Sequence, residues 1–348
     1  MVARPSGCAA RLKAFPTFHL TDRAGDRYMK GSAPRPAPDQ PSRGALAPVV
    51  ALGEQRILRG ILLVCLGVSL FPVMNAIAKY LGGIYPGGQV IWLRYLGHLL
   101  VVSLWFLPRY GVGILRSRSV TGQIARSFFL FGATACYFVA LPALDLPIAA
   151  IIQFTAPLIV TALAMPLLGE VVGVRRWSAV IIGFFGTVLI VRPWRGMEGD
   201  IALWAVLLVL GSATSFALYQ IMTRRLSVND TPQTGIMFTA VVGTVVAAPL
   251  ALVDFQWPVS LFDGLLFAAM GPIGGLGHYL LISGFAHGEA TALSPFGYFQ
   301  LVGSVILGYL IFGFFPDLWV WTGATIIIAS GIYMTYREYR LRTLRATE

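Results

Sequence analysis

The sequence predicts an all-α integral membrane protein of ten transmembrane helices, arranged as two inverted five-helix repeats. Three observations carry that prediction. First, 57% of the residues are hydrophobic and 12% charged, with a mean hydropathy of +0.74, against roughly 45–50% apolar and 25% charged in soluble domains. Second, apolar runs of about 17–25 residues recur from Ile57 to Tyr336, each long enough to cross the roughly 30 Å hydrocarbon core. Third, landmarks recur at a constant offset of 144 residues: Gly67 with Gly211, Gln89 with Gln233, Asp145 with Glu289, Gly169 with Gly313 and Trp177 with Trp321. Glycine matches carry little in a chain with 38 glycines. The tryptophan, glutamine and acidic pairs at the same offset carry more, and internal repeats in a membrane chain imply a transporter whose substrate site lies between the halves.

In chain order, residues 1–55 are rich in Pro, Ala, Arg, Ser and Gly, as in Ala33-Pro34-Arg35-Pro36, and read as a disordered cytoplasmic tail. No apolar core followed by a cleavage site marks a secretory signal there, and Met29 offers an alternative start. Helical spans are predicted at 57–81, 88–108, 123–142, 147–168 and 176–192, forming a first repeat over 57–192. Spans at 199–223, 234–253, 264–286, 290–313 and 318–336 form a second over 199–336, and 337–348 is a C-terminal cytoplasmic tail.

Arginine placement sets the orientation. One set of connections carries fourteen arginines, from Arg56 through Arg109, Arg175 and Arg224 to Arg345, and the opposite set carries only Arg192 and Arg195. The positive-inside rule puts the arginine-rich set and both termini in the cytoplasm. Five helices is an odd number, so the second repeat runs inverted relative to the first. The net charge of +11 is thus a topology signal, and no nucleic acid is expected as a partner. A multi-pass inner-membrane location follows, with the lipid bilayer and a small-molecule substrate as partners; a homodimer is compatible with this class.

Polar groups inside apolar spans are the candidate substrate ligands, because placing them in lipid is costly. An Arg at the bilayer centre costs about 2.5–3.5 kcal/mol on insertion scales, and Arg94 is the deepest charge in the chain. It reads either as an anchor for an anionic or carbonyl-rich substrate or as a structural tie that snorkels or holds helix-end carbonyls. Lys79 is nearer the interface and reads as a snorkelling side chain. Asn75, Tyr137, Gln153, Tyr219, Gln220, His278, Tyr279, Tyr298 and Gln300 complete the set, with hydrogen bonds between helices as the plainer alternative. Pro72, Pro157, Pro272 and Pro295 each remove a helical hydrogen bond; Pro157 frees the carbonyl of Gln153. No acidic residue falls in the middle of a span, so a neutral or anionic substrate is favoured over a cation.

Other chemistries have weaker support. The glycine-rich Gly271-Pro-Ile-Gly-Gly275-Leu-Gly277 lacks the strand and the Lys-Ser/Thr of a phosphate loop and reads as a close-packing face. Cys8, Cys65 and Cys136 have no metal-type spacing, and no cofactor, metal or catalytic residue is expected. A membrane enzyme acting on lipids is the distant alternative; His19, His98, His278 and His287 are scattered without paired acids.

Ala143-Leu144-Asp145-Leu146-Pro147, then Pro157, then Leu167-Leu168-Gly169-Glu170, followed by Trp177 to Val191 with Gly183 and Gly186, resemble the EamA family of the drug/metabolite transporter superfamily. The likeness covers about residues 57–340. In the second half Phe314 stands where the family places Glu, and Leu301 takes the place equivalent to Pro157. The resemblance implies that spans 1, 3, 4, 6, 8 and 9 line a central cavity and that transport is by alternating access. Asn75-Ala-Ile-Ala-Lys79-Tyr80-Leu81 and Glu289-Ala-Thr-Ala with Tyr298-Phe299 resemble members that take up riboflavin or S-adenosylmethionine. With no acid in the spans, the expectation is uptake of a planar neutral vitamin-like molecule such as riboflavin. S-adenosylmethionine import and amino-acid or drug export remain the alternatives.

The topology is directly testable. Reporter fusions after residues 113 and 230 are expected to read cytoplasmic and those after 197 and 258 external; a cytoplasmic reading at 197 would break the five-plus-five inversion.

Overall fold

In the computed structural model, residues 43–168, 174–192, 194, 201–226, 230–285, 287 and 293–346 are described. Their elements are α1 (Arg43–Gly82), α2 (Gly87–Tyr110), α3 (Val120–Ala140), α4 (Leu146–Gln153), α5 (Ala156–Leu168), α6 (Val174–Val191), α7 (Leu203–Leu226), α8 (Pro232–Leu252), α9 (Leu261–Phe285), α10 (Phe299–Phe312) and α11 (Leu318–Ala346). Short 3₁₀ turns occupy Val112–Leu115, Leu141–Ala143 and Ser294–Tyr298. Among the described residues, seven segments are long and apolar enough to cross a membrane, and three shorter apolar helices, Trp177–Val191, Phe296–Phe312 and Leu318–Met334, complete the ten predicted spans. The chain forms two units: residues 50–348, and residues 1–49, of which only the helical stretch from Arg43 is described.

Helix ends follow local chemistry. Thr231 caps α8 by accepting from the Thr234 N–H at 3.3 Å, with Pro232 opening the helix, where a missing N–H costs nothing. Asp317 caps α11 through the Val320 N–H at 2.9 Å and accepts Arg192 at 2.5 Å. Gly313 ends α10 at φ 70°, a left-handed conformation that favours glycine. Its N–H and that of Phe314 close back on the Tyr309 and Gly308 carbonyls.

Three expectations change. Helix α1 begins at Arg43, so residues 43–55, assigned to the tail, are helical. The fourth span is two helices: the chain breaks at Phe154 and Thr155, where Thr155 turns its hydroxyl back onto the Ile152 carbonyl at 2.8 Å. Among its described residues the ninth span is interrupted by the 3₁₀ turn Ser294–Tyr298, which holds Pro295 and lies between the helical Leu293 and α10. Pro157 and Pro295 thus sit at breaks, while α1 and α9 continue through Pro72 and Pro272. The expectations placed on Gly169-Glu170, Glu289 and Arg195 fall outside the described residues.

The packing has the symmetry of an inverted repeat. Helix α2 packs on α8, α4 on α10 and α6 on α11, which pairs spans 2 with 7, 4 with 9 and 5 with 10. These three spans touch their own counterparts, as helices lying near a two-fold between the halves do. Helices α2 and α3 also cross to α9 and α7. Small residues set the closest approaches. A Cβ placed on Gly271 of α9 would lie 2.2 Å from the Gly97 backbone of α2, and one on Gly323 of α11 would lie 2.5 Å from the Gly186 carbonyl oxygen of α6. Without a hydrophobic driving force between helices in lipid, such close backbone contact is what van der Waals packing can exploit.

Gly271→Ala is therefore expected to force α2 and α9 apart and cost about 1–3 kcal/mol of stability. Unfolding in detergent checks this, with Gly113→Ala, where a Cβ meets open space, as the control. Equal midpoints for both variants would contradict the crossing.

Candidate functional site

The two broken spans meet. Phe154, at the α4–α5 break, and Tyr298, at the turn entering α10, stack with ring centroids 4.9 Å apart and planes 28° from parallel. They are separated by the same 144 positions as the sequence landmarks, so the stack joins the two repeats at equivalent points. Both rings pack against the main apolar cluster, which contains Met74, Tyr95, Tyr137 and Phe138.

Arg94 enters this cluster from α2. It is 6% exposed, so it does not snorkel. Its guanidinium carbon lies 4.8 Å from the Tyr95 ring centroid and 5.5 Å from that of Phe138, a cation–π environment that offsets part of the cost of burial. The single hydrogen bond it makes among the described residues is long, 3.4 Å from Nη1 to Thr134 Oγ1, and Nε has no partner. Thr134 is shared with the Tyr95 hydroxyl at 3.1 Å. The sole ion pair among the described residues is Arg192–Asp317, so no described carboxylate pairs with Arg94. Four more buried side-chain atoms on α2, α3 and α4 lack partners: Trp92 Nε1, His98 Nε2, Tyr137 Oη and Gln153 Oε1. Buried polar groups are ordinarily satisfied, and in a membrane bundle such exceptions mark water- or ligand-lined interior.

Two imidazoles adjoin this region. His98 of α2 and His278 of α9 stack 6.4 Å apart, 12° from parallel, and Phe71 of α1 meets His278 edge-on at 5.0 Å. His98, His278 and Tyr279 line a cavity of about 470 Å³ between α2, α8 and α9. Asn75, four residues along α1 from Phe71, is buried and makes no side-chain hydrogen bond among the described residues.

The remaining candidates lie elsewhere. Tyr219 was read as a substrate ligand, but its hydroxyl accepts Arg126 Nη2 at 2.9 Å, under an Arg126 guanidinium that also donates to Thr223 Oγ1 and Gln123 Oε1. Gln123 donates onward to Asp230 at 2.8 Å, where Ser117 and the Arg118 N–H converge. Burial alone would raise the Asp230 pKa; these three donors outweigh it and hold the carboxyl below its ordinary value. This is a satisfied network tying α3, α7 and the start of α8 at the arginine-rich end. Gln220 is exposed, Gln300 is half-buried on α10, and Tyr279 is half-exposed beside Trp105 at 5.8 Å. Lys79 does not snorkel: it donates to the Leu141 and Leu144 carbonyls at 3.0 and 2.6 Å, satisfying the 3₁₀ turn after α3.

At the opposite end a second network ties α2 to the loop before α9. Gln89 makes a reciprocal pair with the Gln256 backbone, 2.7 and 2.9 Å. Tyr85 donates to Asp263 Oδ2 and accepts the Val259 N–H, both at 2.8 Å. Asp263, with Oδ1 unpartnered, escaped the sequence reading because it sits in the first turn of α9. His98 and Trp92 escaped because nothing in an apolar run tells a packed ring from one that faces a cavity.

Comparison with known proteins agrees with this architecture. The EamA-like transporter family model matches residues 58–192 and again 203–337. The chain is 31% identical over 264 residues to an S-adenosylmethionine uptake transporter of Rickettsia bellii, covering 76% of this chain and 89% of that protein. It is 30% identical over 286 residues to a riboflavin transporter of Vibrio cholerae, covering 81% and 94%. A pseudopaline exporter of Pseudomonas aeruginosa is 28% identical over 282 residues, covering 79% and 95%. A solved crystal structure at 19% identity superposes with a TM-score of 0.57 over 83% of this chain and 99% of that one, which supports the fold. The family model's match to both halves, together with these transporter relatives, shows that this chain belongs to the EamA-like transporter family, as a carrier of small metabolites.

Proposed function

We propose that the protein is a riboflavin importer of the cytoplasmic membrane, not an enzyme, with its arginine-rich end and both termini in the cytoplasm. The observation that carries the substrate class is Arg94, a buried guanidinium with an unpartnered Nε and no described carboxylate partner. Such a group favours a carbonyl-rich or anionic molecule and repels a cation. The Phe154–Tyr298 pair offers a face for a planar ring, and Tyr137 and Gln153 add an uncommitted hydroxyl and amide oxygen. A tricyclic ring system edged with carbonyls and carrying a neutral polyol matches these features. The Vibrio cholerae relative, a riboflavin transporter, supports the same substrate.

S-adenosylmethionine is the second reading, favoured by the Rickettsia bellii relative. Its sulfonium would rest on aromatic faces, but would have to do so in the field of Arg94. Alternating access then has two natural closures, the Gln89–Gln256 and Tyr85–Asp263 ties at one end and the Arg126–Gln123–Asp230 ties at the other.

Expression in a riboflavin-requiring bacterium lacking its own importer is expected to permit growth on micromolar riboflavin. No growth, together with resistance to exported amino-acid analogues, would favour export. Within the same assay, Arg94→Lys keeps the charge but loses the planar fork. Losing one charged hydrogen bond is worth about 1.5–3 kcal/mol, so apparent affinity should fall roughly ten- to a hundredfold at normal protein abundance. Unchanged affinity in well-expressed Arg94→Lys would assign it a structural role alone.

A further inference from the structure

The cavity between α2, α8 and α9 breaks the symmetry of the fold. At one end α2 and α8 touch so closely that a Cβ on Gly88 would lie 2.4 Å from the Leu250 carbonyl oxygen. At the arginine-rich end α2, α8 and α9 surround a cavity of about 470 Å³, within the range of small-molecule sites. The lining is not duplicated by the repeat. Trp105, Arg109 and Tyr110 of the cavity correspond, 144 positions on, to Pro249, Val253 and Asp254. Gln89 is fully used in its pair with Gln256, whereas its counterpart Gln233 lines the cavity without a side-chain bond among the described residues.

The chemistry of the space is bipolar. At its deep end His98 is 7% exposed, with Nε2 unpartnered, beside the stacked His278 and the ring of Tyr279. Toward the end of α2, Arg109 donates one Nη1 bond to the Trp105 carbonyl and lies over the Trp105 ring, with its other donors available to a ligand. His98 and Arg109 stand eleven residues apart on α2, about 16 Å at 1.5 Å per residue. A lipid tail would leave His98 facing hydrocarbon with its hydrogen-bonding capacity unmet, so an acyl chain is a poor occupant.

We propose that this cavity is a second ligand site, taking an elongated heteroaromatic metabolite with its ring against His98, His278 and Tyr279 and its oxygen-rich tail on Arg109 and Gln233. It rests on the transport reading, as a station on the arginine-rich side next to the Arg94 region, and the pair of histidines is the boundary between the two. A plug is available: a Cβ on Gly275 has ordinary contacts, 3.6 Å to Val101 and 3.9 Å to His98, so a larger side chain there projects into the space.

The test is ligand protection of a cavity cysteine. Ser283→Cys and, separately, Ile236→Cys, each in a background with Cys8, Cys65 and Cys136 replaced by serine, are labelled with a small maleimide in lipid nanodiscs. Riboflavin, riboflavin 5′-phosphate and S-adenosylmethionine serve as probes. At least one is expected to slow labelling tenfold or more at both positions. Adding Gly275→Leu should abolish the protection, while Gly113→Leu leaves it intact. The phosphate form should protect at lower concentration than riboflavin, with the difference lost in Arg109→Gln. Unchanged rates with all three probes, full protection in Gly275→Leu, or rates that respond only to swapping anionic for neutral lipid would overturn the site. The growth assay separates the two ideas: protection without growth removes the substrate reading and keeps the site, and growth without protection does the reverse.

Discussion

A buried arginine with no described carboxylate beside it is the constraint around which the interior is arranged. Desolvating a guanidinium is expensive even on the most lenient membrane scale, and the protein offsets this with two aromatic faces and one long hydrogen bond to Thr134. Neutralising it with an aspartate would have satisfied the charge permanently. Leaving Nε unpartnered instead keeps a strong donor available, and the unpartnered atoms of Trp92, His98, Tyr137 and Gln153 extend that unmet capacity across α2, α3 and α4. A ligand or water meeting these groups satisfies buried donors and acceptors that no described side chain reaches.

The repeats supply the geometry for such a ligand to enter and leave. The counterpart pairing of α2 with α8, α4 with α10 and α6 with α11 puts the symmetry element through the middle of the bundle, where Phe154 and Tyr298 stack. Breaks in α4–α5 and ahead of α10 occur at these same two residues, so the backbone is least regular where the halves meet. Each end carries its own polar tie, one built on Gln89 and Tyr85 and the other on Arg126 and Asp230. These are side-chain and loop contacts, cheaper to exchange than the glycine-mediated crossings of α2 with α9 and α6 with α11.

Much of this was legible in the residues. The ten spans followed from apolar length, and the inverted relationship from an odd helix count per repeat. What escaped was anything depending on which face of an all-apolar helix looks inward. Gln220 and Tyr219 are neighbours on α7, and periodicity alone gave no means to see that one is exposed and the other committed to Arg126, 93 residues earlier. Lys79 was read as snorkelling because carbonyls freed by a 3₁₀ turn more than sixty residues away leave no local trace. The fourth span breaks one turn ahead of Pro157, at Phe154 and Thr155, since the missing N–H is accommodated by restarting the helix there. Asn75, Arg94, Tyr137, Gln153, His278 and Tyr298 stand out in the sequence as polar or aromatic groups in apolar spans, and all six are at least partly buried.

The most direct measurement is an experimental structure of the protein with riboflavin bound. The account predicts ring density against Phe154 and Tyr298 with a carbonyl edge accepted by Arg94, whose contact to Thr134 lengthens or breaks. Density elsewhere, with Arg94 still enclosed by Tyr95, Phe138 and Thr134 as it is here, would contradict the claim that the unpaired arginine is held for substrate.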